Sequence, residues 1–387
     1  MKAYFNLFSI AFIIDLLGTP ISLTLGHTHI SGVFFHFFKI PFVLTFLVIL
    51  TFSLRYGIKK NIVTYLFLLI FPMFFFIGLY SNEISKASFS HFYGFLMPIL
   101  ASSFGQFFAQ HADKEDLEQF FSRMKKAFKW FFVIISLYFM LYMVGIVKYL
   151  GMSSMSNYYT AYFLMIGDLK LTFLSLIAAI LTGKRTVLIL CFVIVVIFYF
   201  FKKKGRGSRL LKYSKTAFMV LGVAVLLTIA FKLGLLNRFD SLLTLDLSDE
   251  RSMYVASGGR VFEIATIWSH IENSDLFLTG GGMGETYIIP FGMNNLDETR
   301  VLHYSHMSPL YLTLVYGIPF SLITYSYLFY YFVISLNKFS SNFFFLVFSS
   351  LLLASFSGSI LFVDVKFWIF LGVVIGINKY KYSECRL

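Results

Sequence analysis

Charged residues are scarce in this chain of 387 residues: they make up 13% of it, against 58% hydrophobic and 20% aromatic residues. So little polar surface cannot cover a soluble globule of this size. Cysteine is nearly as scarce. Cys191 sits inside an apolar run and Cys385 in a basic tail, at different depths, so the two cannot form a disulfide framework. The period-2 alternation of an outer-membrane barrel is absent, and no internal repeat is visible by inspection. The chain has no HExxH or comparable metal-ligand set and no P-loop Lys-Ser/Thr. The first apolar run, Phe5 to Leu25, carries Asp15 and lacks a small-x-small cleavage site before Gly26, so it reads as a first span rather than a cleaved signal.

What is present is a series of apolar runs from Tyr4 to Lys379, each near the length needed to cross about 30 Å of hydrocarbon as a helix. The fold class is therefore all-α and polytopic, with residues 1–387 forming a single integral membrane domain. The net charge of +13 is scattered in short clusters between these runs, which suits anchoring to anionic lipid and argues against nucleic acid as a partner. The densest cluster, KKKGRGSRLLKYSK (202–215), has seven Lys or Arg and no acid, which assigns it to the cytoplasm; RYGIKK (55–60), SRMKKAFK (122–129) and KYKY (379–382) are assigned to the same side. Spans then fall at about 4–25, 33–54, 62–80, 91–110, 128–149, 186–201, 216–236, 308–335, 341–361 and 363–378. Parity requires two more short spans, at about 152–167 and 169–183, hinged at Gly167-Asp168-Leu169-Lys170. The expectation is about twelve transmembrane helices with both termini cytoplasmic. Asp168 and Lys170 read as a hairpin turn, with a buried ion-relay pair as the alternative.

This threading leaves one large external loop, 237–307. From Asn237 to Ser305 it holds ten Asp or Glu, four Arg and no Lys. A guanidinium offers a planar donor fork for phosphate or carboxylate, whereas a merely soluble loop uses Lys freely. Within it, apolar residues Val261, Ile264, Ala265 and Trp268 recur at helical spacing, so Gly258-Gly259-Arg260 falls at a helix N-terminus, a place that favours an anion. Glu263, one turn later, either holds Arg260 or faces water. The run Gly280-Gly281-Gly282-x-Gly284 reads as a flexible turn. Lys184 and Arg185, in TGKRT, stand at the external entrance of a span, either as snorkelling anchors or as partners for an anion. His306 precedes Ser308-Pro309 and is expected to cap an external helix, where an imidazole can accept a proton. His303 reads as an exposed loop residue, with a metal site shared by His303 and His306 as the disfavoured alternative.

The order TGKRT (182–186), GGRVFEIATIW with its glycine turn, then HMSPLYLTLVYGIP resembles the O-antigen polymerase and O-antigen ligase superfamily over residues 182 to 320. Those proteins show a similar H-N-x-x-L element followed by G-I; here Met307 stands at the Asn position and Gly317-Ile318 supplies the rest. The resemblance implies a class C membrane glycosyltransferase of the inner membrane, its active site facing the periplasm, acting on undecaprenyl-diphosphate-linked oligosaccharides without metal or other cofactor. By the same resemblance Arg185 and Arg260 would bind the donor diphosphate and His306 would deprotonate or position the acceptor hydroxyl. Lys184, Gly259, His303 and Tyr304 complete the candidate substrate-binding set. Arg251 joins it as a third phosphate contact, with a surface ion pair to Asp249 or Glu250 as the alternative. Within the superfamily the polymerase is preferred, with a chain-length regulator as a candidate partner. The ligase, which delivers the glycan to lipid A-core, is the alternative, and a flippase or ion-coupled transporter using Asp15 and Asp364 is the rival of a different class.

Overall fold

The computed structural model describes residues 1–25, 40–145, 155–182, 185–201, 260–289, 300–302, 305–356 and 364–380. They form thirteen helices and one two-stranded sheet. The first five helices are α1 (Lys2–Leu25), α2 (Ile40–Tyr56), α3 (Ile62–Ser81), α4 (Lys86–His111) and α5 (Lys114–Met143). Next come α6 (Ser156–Ile166), α7 (Leu169–Leu181), α8 (Arg185–Phe201) and α9 (Arg260–Asn273), then strands β1 (Tyr287–Ile289) and β2 (Arg300–Leu302). The chain closes with α10 (Ser308–Tyr316), α11 (Ile318–Phe339), α12 (Phe343–Ala354) and α13 (Val365–Tyr380). Among the described residues, four helices, α3, α4, α5 and α11, carry stretches long and apolar enough to cross a membrane. The protein is an all-α, membrane-embedded bundle. The segment expected at 216–236 and the basic cluster 202–215 lie outside the described residues.

Polar side chains close the helices where apolar periodicity ends. Asn61 Oδ1 accepts from Thr64 N at 2.9 Å to start α3, and capping boxes at Ser85 and Asp113 start α4 and α5. These caps sort to two ends of the bundle. At one end Lys2 meets Asp113 at 2.8 Å, the N-terminal ammonium donates to Tyr56 at 3.1 Å, and Asn61 bonds Ser102 and Gln106. That end gathers residues 1–2, 55–61 and 112–116. α9 and the glycine turn sit at the other.

The bundle centre is aromatic: Phe8 and Phe52 meet Phe104, and Phe120 lies between Phe8 and Phe344. Around α4 the packing is tighter. Gly372-x-x-x-Gly376 on α13 faces Ser102, Gln106 and Ala109 of α4, and a Cβ at Gly372 would collide with the Ser102 carbonyl. Small residues let the two backbones approach, which is how helices gain dispersion energy where lipid offers no hydrophobic drive. Their parallel register sets the first turn of α13 beside the middle of α4, far from either end.

Three expectations about the helices change. The short pair does form a hairpin: Tyr162 stacks on Phe121, Gly167 takes φ 76° and Asp168 caps α7 by accepting from Leu171 N at 3.0 Å. With 11 and 13 residues, however, the two helices extend only roughly 16 and 20 Å, short of about 30 Å of hydrocarbon. The basic segment 122–129 is not a connection but part of α5, where Met124 and Phe128 are buried and Lys125, Lys126 and Lys129 are exposed. The single span expected at 308–335 breaks at Gly317 into α10 and α11. Ser321 Oγ donates to the Pro309 carbonyl at 3.2 Å, although an unbroken helix would hold those positions roughly 18 Å apart.

Candidate active site

α9 is described from Arg260 onward, with the residues before it outside the described ones, and its inward stripe is Glu263, Ile267 and Ile271, at i, i+4 and i+8. Val261 and Trp268, expected on the apolar packing face, are 46% and 45% exposed. The reason lies in what covers the helix. Ile267 and Ile271 pack on Tyr287 and Leu314, so the hairpin β1–β2 and α10 choose the buried face, and a carboxylate occupies its first position.

Glu263 is therefore buried and must find partners. Its Oε2 accepts from Arg260 Nη1 at 3.0 Å, and its Oε1 accepts the His306 backbone N–H at 2.7 Å. The His306 ring Nδ1 lies 3.3 and 3.2 Å from the two carboxylate oxygens, and Tyr287 donates its hydroxyl to Oε1 at 3.4 Å. The antiparallel register, Tyr287 opposite Leu302 and Ile289 opposite Arg300, delivers Tyr287 and the segment leading to His306 onto α9 together. Burial pushes the Glu263 carboxyl up, but the His306 ring and backbone N–H bonds, followed by the charges of His306 and Arg260, bring it down to about 2. It is a carboxylate throughout the neutral range.

Of the two readings of Glu263, the structure has the one in which it holds Arg260, and adds His306 to the same carboxylate. Arg260 and His306 converge because Glu263 holds both. His306 is not the helix cap: Met307 occupies the N-cap of α10, its N–H bonded to Ser305 Oγ at 3.1 Å, and Ser308 N–H is tied to the Ser355 carbonyl at 3.0 Å. Arg185 opens α8; because the α6–α7 hairpin turns at the end carrying Asp113, α8 begins toward the end that carries α9. Lys184, Arg251, Gly259, His303 and Tyr304 lie outside the described residues. Among the described residues, no group of three or more His, Cys, Asp or Glu stands close enough to hold a metal ion.

The glycine run is a docked wedge rather than a flexible turn. Gly281 and Gly282 donate to the Leu314 and Val315 carbonyls at 2.9 and 3.0 Å, and Met283 donates to the Phe74 carbonyl at 3.1 Å. Asn82 Nδ2 reaches the Gly281 and Met283 carbonyls, and Gly284 N–H donates to His91 Nδ1 at 3.0 Å. Gly282 has φ 72°, and a Cβ there would stand 2.6 Å from Gly78 N, so glycine is required twice over. The Gly317-Ile318 pair serves the same docking, since Ile318 N–H donates to the Phe277 carbonyl at 2.8 Å.

Two further pairings are invisible in the sequence because the partners are distant in the chain, although Asp15 and Asp364 stand out singly as acids within apolar runs. His270 Nε2 and Glu285 Oε1 pair at 2.7 Å behind the glycine wedge. Lys366, at the first turn of α13, bonds Asp15 of α1 through its ammonium and Asp364 through its backbone N–H, at 2.9 Å for the latter. No family model, no curated protein and no solved structure matches this chain.

Proposed function

We propose that this protein is a polysaccharide polymerase of the O-antigen type, a metal-independent glycosyltransferase with about twelve spans in the inner membrane, cytoplasmic termini and a site open to the periplasm. The twelve spans proposed include the short α6–α7 pair as a hairpin entering the bundle rather than as two full crossings. The observation that carries this reading is the carboxylate of Glu263 shared between Arg260 and His306. A proton held on Nδ1 by Glu263 makes Nε2 the basic nitrogen of His306, the arrangement a general base requires. In the reaction the acceptor hydroxyl gives its proton to Nε2 while its oxygen bonds the anomeric carbon. The bond from that carbon to undecaprenyl diphosphate breaks, and its electron pair leaves with the diphosphate.

Arg260 spends one N–H on Glu263 and keeps others for the developing phosphate charge. Arg185, with Lys184 beside it in sequence, would supply the second cation; Arg251, Gly259, His303 and Tyr304 complete the substrate set. A single displacement inverts the anomeric centre. The test is the surface-polysaccharide ladder of cells whose only copy carries Arg260→Ala, with membrane protein levels matched to wild type. Core plus a single repeat would mean polymerase; loss of even that repeat, with lipid-linked chains accumulating, would mean ligase; an unchanged ladder would refute the site.

A flippase or transporter is the second reading, favoured by the Asp15–Lys366–Asp364 cluster within the bundle. It predicts that Asp364→Asn stops export while Arg260→Ala has no effect.

A further inference from the structure

The face of α9 next to its buried stripe borders a groove of about 560 Å³ that runs between the helix and β1. It is an open groove rather than an enclosed pocket, so a ligand would lie along it with one side in water. Thr266, Ser269, His270 and Asn273 line it from the helix and Thr286 and Tyr287 from the strand side. Hydroxyls, an amide and an imidazole thus stand beside the apolar Ala265 and the exposed Ile288, with Tyr287 buried beneath them. Among the described residues no Lys, Arg, Asp or Glu lines the groove, so these walls offer neither an anion nor a cation a full counter-charge.

Several details make this a shaped surface. His270 is fixed by Glu285, which is itself almost buried against Gly281, so Nδ1 is the ring atom left for a ligand. Asn273 Nδ2 donates to Ser269 Oγ at 3.2 Å, leaving the amide oxygen as an acceptor. Tyr287 lines the groove and also donates to Glu263, so the groove and the Arg260–Glu263–His306 cluster share a residue. From Thr266 to Asn273 the helix advances roughly 10 Å, which makes the groove elongated rather than a pocket for a single ion.

We propose that this groove is a subsite for an uncharged saccharide, the portion of the glycan substrate lying beyond the sugar that is joined. It rests on the glycosyltransferase reading above, and it assigns binding of glycan to Ser269, His270, Asn273 and Thr286, separate from the binding of diphosphate at Arg260. Neutral sugars present hydroxyls that both donate and accept beside apolar C–H faces, which matches hydroxyls, an amide and an imidazole set beside Ala265 and Ile288.

The test is calorimetry on the full-length protein in lipid nanodiscs, with two probes: the repeat-unit oligosaccharide released by mild acid from the host's lipid carrier, and inorganic diphosphate. The double variant Ser269→Ala/Asn273→Ala alters only exposed side chains, so the fold is retained and thermal unfolding verifies it. It should weaken oligosaccharide binding about tenfold, as expected for two lost hydrogen bonds, and leave diphosphate binding unchanged. Arg260→Ala should do the reverse. Wild-type affinity in the double variant, or no oligosaccharide binding by the wild type, would overturn the subsite. Saccharide binding that depends on Asn273 together with an unaltered ladder in Arg260→Ala would keep the subsite and discard the transfer reaction.

Discussion

Glu263→Gln isolates the charge of the shared carboxylate, since glutamine keeps its shape and one acceptor oxygen. Two routes give its magnitude. The carboxyl is brought from an ordinary 4.5 to about 2, and at about 1.4 kcal/mol per pH unit this corresponds to on the order of 3 kcal/mol of folded-state stability. Independently, a charge-assisted bond such as the 2.7 Å contact from the His306 N–H is worth about 1.5–3 kcal/mol. Because the folded value is depressed, the contribution is complete above the unfolded value and is lost as pH falls through about 2. Thermal unfolding in detergent from pH 3 to pH 8 should therefore show a constant gap between wild type and variant above about pH 5 that narrows toward pH 3. In a transfer assay the variant should lose roughly 10²–10⁴ of the rate, the usual worth of a positioned base, because His306 loses its anchor and Arg260 its orientation. A stability gap that fails to narrow in acid, or a variant within about threefold of wild-type activity, would refute the role given to Glu263.

Other outcomes follow from the packing. Lys366→Met removes the cation that faces Asp15 and Asp364 while keeping the backbone N–H to Asp364, and should destabilise the fold by about 1–3 kcal/mol, read in unfolding titrations; Asp15→Asn in the same background should recover part of it. Gly282→Ala puts a Cβ against Gly78 in a left-handed backbone and should undock the wedge, lowering the melting temperature and exposing Asn82 to hydrogen exchange. A cysteine at Ser274 should react with impermeant maleimide in intact spheroplasts and one at Lys60 only after permeabilisation; the reverse pattern would invert the proposed orientation.

The helical, membrane-embedded character of this chain was legible because it is a composition effect summed over hundreds of residues, and the α6–α7 hairpin was legible because Gly167-Asp168 carries its own turn chemistry. The break at Gly317 was not. An isolated glycine inside an apolar run looks the same whether the helix continues or folds back, and only the approach of Leu278 and Thr279 decides it. The inward face of α9 misled for a related reason. Val261 and Trp268 are more apolar than Glu263, but the covering hairpin supplies a histidine N–H and a tyrosine hydroxyl that make burial of a carboxylate tolerable. Arg260 and His306 could be named from the resemblance and the local pattern. Pairs such as His270–Glu285 and Asp15–Lys366 could not, because nothing local in the chain records a contact formed by folding.

The two charge clusters differ in how far each is open, and that difference bears on which of them suits the proposed transfer. Asp15 and Lys366 are 13% and 14% exposed and neutralise one another across α1 and α13, helices held in the apolar bundle. Their charges are satisfied from within, which suits a lock between helices more than a path for an ion. In the α9 cluster exposure is graded: Glu263 is 4% exposed, His306 19% and Arg260 28%. The group that only has to hold the others is hidden, and the two that would meet a substrate are within reach of it. A buried carboxylate serving an accessible base and an accessible cation is an arrangement whose cost is repaid in position, and it is at that cluster that substitutions should abolish activity without unfolding the bundle.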